Sequence, residues 1–284
     1  MSIQWYPGHI AKAERNLKEQ LKRVDVVLEV RDARIPLATH HPQVPEWVGN
    51  KQRVLVINRM DMLPPKVIEM WQEWFDAAGE KPYFTNAKSG NGVSKVATAA
   101  RNAGQQLNKR RRDRGMLPRP VRAVVIGFPN VGKSALINRL LKRRVVDSAR
   151  KAGVTRQLRW IRISDELELL DAPGVIPTII ENQEDAVKLA ICEDIGNAAY
   201  ENQLIAADLV DFLLELDEKS NGLVSASCLQ ERYQVDVGFS TGESYLHEVA
   251  EQNYQGDVER TARQFLYDFR KGYLGKIPLE LPPN

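Results

Sequence analysis

The 284-residue sequence has only two cysteines, Cys192 and Cys228. Two thiols cannot make a disulfide framework or, by themselves, a zinc site. They are expected as buried thiols in a reducing compartment. No apolar run is long enough to span a bilayer, which argues against a membrane partner. The opening Met1 to His9 has no basic start followed by an apolar core, so no secretory signal is expected and the location is expected to be cytoplasmic. There is no internal repeat and no low-complexity tract. The net charge of +3 is mild, but it is unevenly spread. Lys109-Arg110-Arg111-Arg112-Asp113-Arg114 is one basic run. Arg139 with Lys142-Arg143-Arg144 is a second, and Arg150, Lys151, Arg156, Arg159 and Arg162 form a third. Such clusters suit a polyanionic partner, although a solvated linker and helix ends explain any single one equally well.

What is present is dominated by one stretch. Gly127-Phe128-Pro129-Asn130-Val131-Gly132-Lys133-Ser134 reads G-x-x-x-x-G-K-S, the phosphate-binding P-loop. Val121 to Ile126, apolar and β-branched, predicts a buried strand before it. Ala135 to Leu141 has helical spacing after it. A strand that turns through glycine into a helix N-terminus aims backbone N–H groups, including those of Val131, Gly132 and Ala135, at an anion. Lys133 can reach the outer phosphates, and the Ser134 hydroxyl can ligate Mg²⁺.

In chain order, a helix is expected from about His9 to Arg23 and a strand over Val24 to Val30. Val54 to Ile57 predicts a short buried strand. A helix then opens at Pro64-Pro65 and closes at Gly79. Tyr83 to Thr85 is a strand, followed by a helix to about Leu107. Residues 104–120 are expected as a flexible basic connector. Strands over Gln157 to Ile163 and Leu167 to Leu170 follow the P-loop helix. Strands alternating with helices predict an α/β domain over residues 1–178, with a mostly parallel sheet covered on both faces. Residues 179–284 show almost only helical spacing, over Asp185 to Ala199, Leu204 to Leu216, Ala226 to Tyr233, Glu243 to Gln252 and Val258 to Tyr273. They predict a separate small all-α domain.

Two further elements choose the nucleotide. Asn58-x-x-Asp61 ends a buried strand, where ligands bind in open α/β sheets. A carboxylate there accepts two hydrogen bonds from guanine, at N1–H and the exocyclic amine. Adenine offers neither donor, a polar mismatch worth roughly 10⁴-fold discrimination. Asn86-Ala87-Lys88, at the next strand end, could set backbone N–H groups on guanine's oxygen. Asp171-x-x-Gly174 is the other element. Asp171 is placed to hold Mg²⁺ through water, and the Gly174 N–H to meet a γ-phosphate. Thr155 could complete the Mg²⁺ shell. An ATPase or kinase is disfavoured by Asp61.

The base motif precedes the P-loop, and Asp-x-x-Gly follows it. In Ras-like GTPases the base motif comes last, so the chain resembles a circularly permuted GTPase. Trp5-Tyr6-Pro7-Gly8-His9, Asp32-Ala33-Arg34-Ile35-Pro36 and the P-loop itself resemble the ribosome biogenesis GTPase A family (RbgA, or YlqF) over essentially the whole chain. The resemblance implies binding of GTP and GDP. It also implies GTP hydrolysis coupled to late maturation of the bacterial large ribosomal subunit, with an rRNA-binding helical domain and no DNA partner. It implies His9 as the group that positions attacking water, because Val175 stands where other GTPases often carry Gln. Slow intrinsic hydrolysis, stimulated by the ribosome, is therefore expected. Asn130 resembles the P-loop position of potassium-dependent GTPases, where K⁺ acts beside the phosphates. The base motif departs from Asn-Lys-x-Asp in having Arg59. The alternative is an RNA-binding scaffold whose nucleotide site senses occupancy without useful turnover.

Overall fold

The computed structural model describes residues 15–142, 159–177, 180–196, 200–220, 222–238 and 241–283. It divides into two compact units. Among the described residues, one comprises residues 15–60 and 72–177, and the other residues 61–71 and those from 180 onward.

The first unit is built on a six-stranded sheet. Its strands are β1 (Val26–Asp32), β2 (Gln52–Asn58), β3 (Pro82–Thr85), β4 (Val121–Ile126), β5 (Arg159–Ser164) and β6 (Leu167–Asp171). Their order across the sheet is β3-β2-β1-β4-β6-β5. All neighbours are parallel except β5, which runs antiparallel to β6. β1 is buried along its whole length, as expected of a central strand covered on both faces. Residues 15–21 (α1) and α2 (Val44–Val48) cover one face. Leu17, Leu21, Val44 and Trp47 pack there on Val27, Val124, Ile126 and Leu170. The strand period of two sends Val121, Ala123 and Val125 to the other face. There α4 (Val93–Asp113) lies so close that a methyl at Gly104 would meet Val121 Cγ2 at 2.1 Å. α3 (Pro65–Ala77) connects β2 to β3, and α5 (Lys133–Leu140) follows β4.

The topology makes the site. From β1 the chain builds outward through β2 and β3; from β4 it builds the other way to β6 and β5. The carboxyl ends of β1 and β4 are thus the switch point, where loops diverge and leave a crevice for ligand.

The expected connector over 104–120 is corrected by α4, which continues to Asp113. Lys and Arg are good helix formers, and cations in the last turn complement the helix dipole. The remaining stretch is also tied down. The Asn108 side chain donates to Arg119 O (2.9 Å) and accepts from Arg119 N (3.2 Å). The Arg119 guanidinium forks onto Asp25 at 2.7 and 2.8 Å.

The second unit is helical from residue 180 onward: α6 (Gln183–Cys192), α7 (Asn202–Lys219), α8 (Ser227–Tyr233), α9 (Gly242–Asn253) and α10 (Val258–Lys271). The expected helix to Ala199 stops at Cys192, because Glu193 turns left-handed (φ 66°). Arg270 of α10 caps that end, donating to Ile191 O and Ala190 O at 2.8 Å each. Side-chain caps start three helices: Asn182 accepts from Glu184 N, Thr241 from Ser244 N and Asp257 from Arg260 N. The α7–α9–α10 core holds Leu209, Leu213, Tyr245, Val249 and Phe265, and Tyr233 of α8 stacks on Phe265 with centroids 4.2 Å apart. Among the described residues, no helix is long and apolar enough to cross a membrane.

Candidate nucleotide site

The P-loop leaves β4 at Gly127, whose φ of 145° suits glycine. A Cβ there would sit 2.2 Å from Val30 O, so the loop passes tightly against β1. Asn130 (φ 58°) and Gly132 (φ 100°) are both left-handed, and Gly132 begins α5. Successive N–H groups at this turn make an anion-binding concavity at a helix N-terminus. Lys133 is 6% exposed and folds its ammonium back onto Gly127 O (3.1 Å) and Phe128 O (2.6 Å). Its charge is therefore held at the inner surface of the loop.

Asn58 ties the base side to the phosphate side. Its Nδ2 donates to Val131 O (2.8 Å), and its Oδ1 accepts from the Thr85 hydroxyl and Ala87 N, both at 3.1 Å. Asn86 turns the next loop, its Oδ1 accepting from Lys88 N (2.9 Å) and Ser89 N (3.1 Å). The backbone N–H groups expected on guanine's oxygen are here taken up within this loop and by Asn58. Arg139 supports it from α5, donating to Ala87 O at 3.3 Å. Asp61 lies in a single 3₁₀ turn, Met60–Met62, and is partly exposed.

Arg59 (φ 67°) reaches the P-loop as well. Its Nη2 donates to Asn130 O at 2.5 Å, and its Nε lies 3.2 Å from Asp32 Oδ2. Asp32 is fully buried and gripped by Arg34 through three N–H donors, at 3.0, 3.0 and 2.7 Å. Burial works to raise the Asp32 pKa, but the Arg34 and Arg59 charges outweigh it and hold the carboxyl below its ordinary range. Asp32 and Arg34 were visible in sequence only as part of a family signature. The usable signal was a carboxylate at the C-terminal end of a buried strand.

Asp171 ends β6 on the other side. It is 2% exposed, and its Oδ1 has no hydrogen-bond partner. Burial pushes its pKa up to about 6, and the Lys133 charge offsets part of that rise. A buried, unsatisfied carboxylate oxygen facing a lysine at a phosphate site suits a divalent cation with its waters. Gly174 is in the same place: a Cβ on it would come within 2.6 Å of Pro129 N. The Asp-x-x-Gly segment is therefore set directly against the P-loop. Val175 donates its N–H to Gly127 O (3.2 Å), while its side chain packs in the Leu17–Trp47 core cluster. That explains an apolar residue at this position. His9 and Thr155 lie outside the described residues.

A P-loop at a switch point, joined by a base-motif asparagine on one side and an Asp-x-x-Gly turn on the other, defines a GTPase. The family described as 50S ribosome-binding GTPase matches residues 122–234. Ribosome biogenesis GTPase A of Bacillus cereus is 33% identical over 290 residues, covering 99% of this chain and 95% of that protein. The Bacillus pumilus protein of the same name is 36% identical over 215 residues, 76% of each. GNP-bound YlqF from T. maritima shares the fold, with a TM-score of 0.64 at 22% identity, covering 96% of this chain and 99% of that one. The chain belongs to the ribosome biogenesis GTPase A family, and it is a GTP-hydrolysing enzyme.

Proposed function

We propose that this GTPase is an assembly factor for late maturation of the large ribosomal subunit, with slow intrinsic hydrolysis that the ribosome stimulates. The observation that carries the enzymatic half is the buried Asp171 oxygen without a partner, beside Lys133 and within the reach of the P-loop. The relatives' shared name supports the ribosomal half. The base motif precedes the P-loop in the chain, yet β1 lies beside β4 in the sheet with the base-motif strand β2 next to it, which supports a circular permutation.

In this reading the Val131–Ala135 backbone cradles the phosphates, and Lys133 moves from the loop carbonyls to the β and γ oxygens. Ser134 and Asp171 would hold Mg²⁺, joined by Thr155; the ion supplies charge neutralisation at the β and γ oxygens. Gly174 offers its N–H to the γ-phosphate. Asn130 is the residue that would take K⁺. The buried side chain of Val175 orients no water, so that task falls to His9, in line with slow turnover alone. Asn58 braces the base pocket, and Asp61 reads guanine. rRNA contact by the helical domain and the basic clusters would weaken with salt.

GTP turnover by the purified protein, in K⁺ and in Na⁺, alone and with purified large subunits, tests this. Stimulation by subunits, greater in K⁺, is expected. Tight GTP binding with no stimulation would instead favour a scaffold that senses occupancy. Asp61→Asn separates guanine recognition from phosphate binding. It should lower GTP affinity by roughly 10³-fold or more, because the amide cannot accept both guanine donors. Competition between GTP and ATP is the readout, and retained GTP preference would remove Asp61 from base recognition.

A further inference from the structure

Arg59 stands where the base motif usually has Lys, and its geometry uses what distinguishes the two. A guanidinium carries several donors in a fixed fork, whereas an ammonium is a single point charge on a flexible stem. The Arg59 fork engages two acceptors from separate parts of the chain. Nη2 holds the main-chain oxygen of Asn130, and Nε faces Asp32 Oδ2. The parallel register that pairs Asp32 with Asn58 brings them together.

Each neighbour of Arg59 is itself constrained. Asn130 holds a left-handed φ of 58°, uncommon for a non-glycine residue although asparagine tolerates it better than most. Asp32 is fixed by the three Arg34 donors. The loop that follows it is closed by Thr39, whose hydroxyl accepts from Asp32 N (3.0 Å) and donates to Ile35 O (2.7 Å). A line of hydrogen bonds and ion pairs therefore runs from Arg34 through Asp32 and Arg59 to the one non-glycine P-loop residue with a positive φ among the described residues.

Building on the GTPase reading, we propose that Asp32 is a positioning residue for nucleotide, acting through Arg59 to hold the phosphate loop in its binding shape before nucleotide arrives. Asp32 lies outside the P-loop, base and Asp-x-x-Gly motifs. A binding site already formed gives up less of its interaction energy to ordering, so the strut raises affinity for GDP and GTP alike.

The test is fluorescent-GDP and GTP binding to the full chain in Mg²⁺ buffer, with thermal unfolding of each nucleotide-free variant. Arg59→Ala loses both contacts and should bind GDP and GTP about tenfold more weakly, by the same factor. Arg59→Lys keeps one contact, to Asn130, and should fall in between, about threefold weaker. Asp32→Asn should match Arg59→Lys, and should add nothing in an Arg59→Ala background, the non-additivity expected of residues acting in series. A purely structural role would lower the melting temperature and leave affinity, and this coupling, unmoved. Wild-type affinity in Arg59→Lys, or losses from Asp32→Asn and Arg59→Ala that multiply, would overturn the proposal. Should Asp32→Asn fail to fold, the Arg59→Lys and Arg59→Ala pair still decides, because Arg59→Lys keeps the contact to Asn130 and loses the one to Asp32. Absence of saturable GDP binding by the wild type would sink the GTPase reading itself, a different result from equal binding by wild type and Arg59→Lys.

Discussion

Gly132→Ala is expected to weaken guanine nucleotide binding by about 100-fold while the protein stays folded. Two costs combine at this position. The first is conformational: Gly132 has φ 100°, and an L side chain in left-handed backbone costs about 1–2 kcal/mol. The second is steric, because the new Cβ would lie 2.1 Å from Asn58 Nδ2. Asn58 cannot move without giving up its 2.8 Å bond to Val131 O and the two contacts at its Oδ1. Losing a buried amide partner costs about 1–3 kcal/mol. Together these disfavour the binding shape of the loop by about 3 kcal/mol, which lowers its population about 100-fold. GDP titration by fluorescence measures the loss. Gly79→Ala is the control: Gly79 is also left-handed (φ 72°), but a Cβ there has nothing within 4 Å. It should cost some stability and leave GDP affinity alone. Equal affinities for wild type and Gly132→Ala would mean that the loop adapts and that Asn58 is not its brace.

The P-loop was legible in the sequence for the same physical reason that makes Gly132 irreplaceable. Phosphate recognition by backbone needs particular residues at fixed offsets, and a buried strand and a helix must flank them. β1, β2, β3, β4 and β6 were visible as short apolar runs ending in turns. Their order in the sheet was not, because it depends on pairing between strands far apart in sequence. That order hid the Asp32–Arg59–Asn130 line, whose members are brought together by the β1–β2 register rather than by proximity along the chain. The basic run misled for a different reason. Charge density reads as solvated linker, yet Lys109 to Arg112 form the last turns of α4 and the chain beyond is pinned by Asn108 and Arg119. The early end of α6 likewise depends on Arg270, a donor from α10 that no local pattern reveals. The sequence showed that Val175 has no side-chain hydrogen-bonding group, but its packing role needed the α1 and α2 contacts to become visible.

Asp171→Asn is expected to move stability and turnover in opposite directions. In the folded protein burial holds this carboxyl at about 6, against an ordinary 3.8. The folded state therefore binds the proton more tightly than the unfolded chain does, and stability falls as pH rises between those two values. Above about pH 6 the full penalty is present, of order 3 kcal/mol for a shift from 3.8 to about 6. Well below 3.8 it vanishes, because both states are protonated. The amide does not ionise and escapes the penalty. In nucleotide-free protein with chelator present, the melting temperature of Asp171→Asn relative to wild type should be several degrees higher at pH 7.5 than at pH 4.5. GTP turnover should fall by about 100-fold or more, since the amide is a neutral and weaker partner for Mg²⁺. A melting difference independent of pH would mean that the Lys133 ammonium already compensates the carboxylate. Full turnover in the variant would remove Asp171 from the metal site. The expected pair of results has one cause: a carboxylate kept buried with an unpartnered oxygen is a cost to the empty protein, and in the proposed site binding of nucleotide with its metal would recover that cost as affinity.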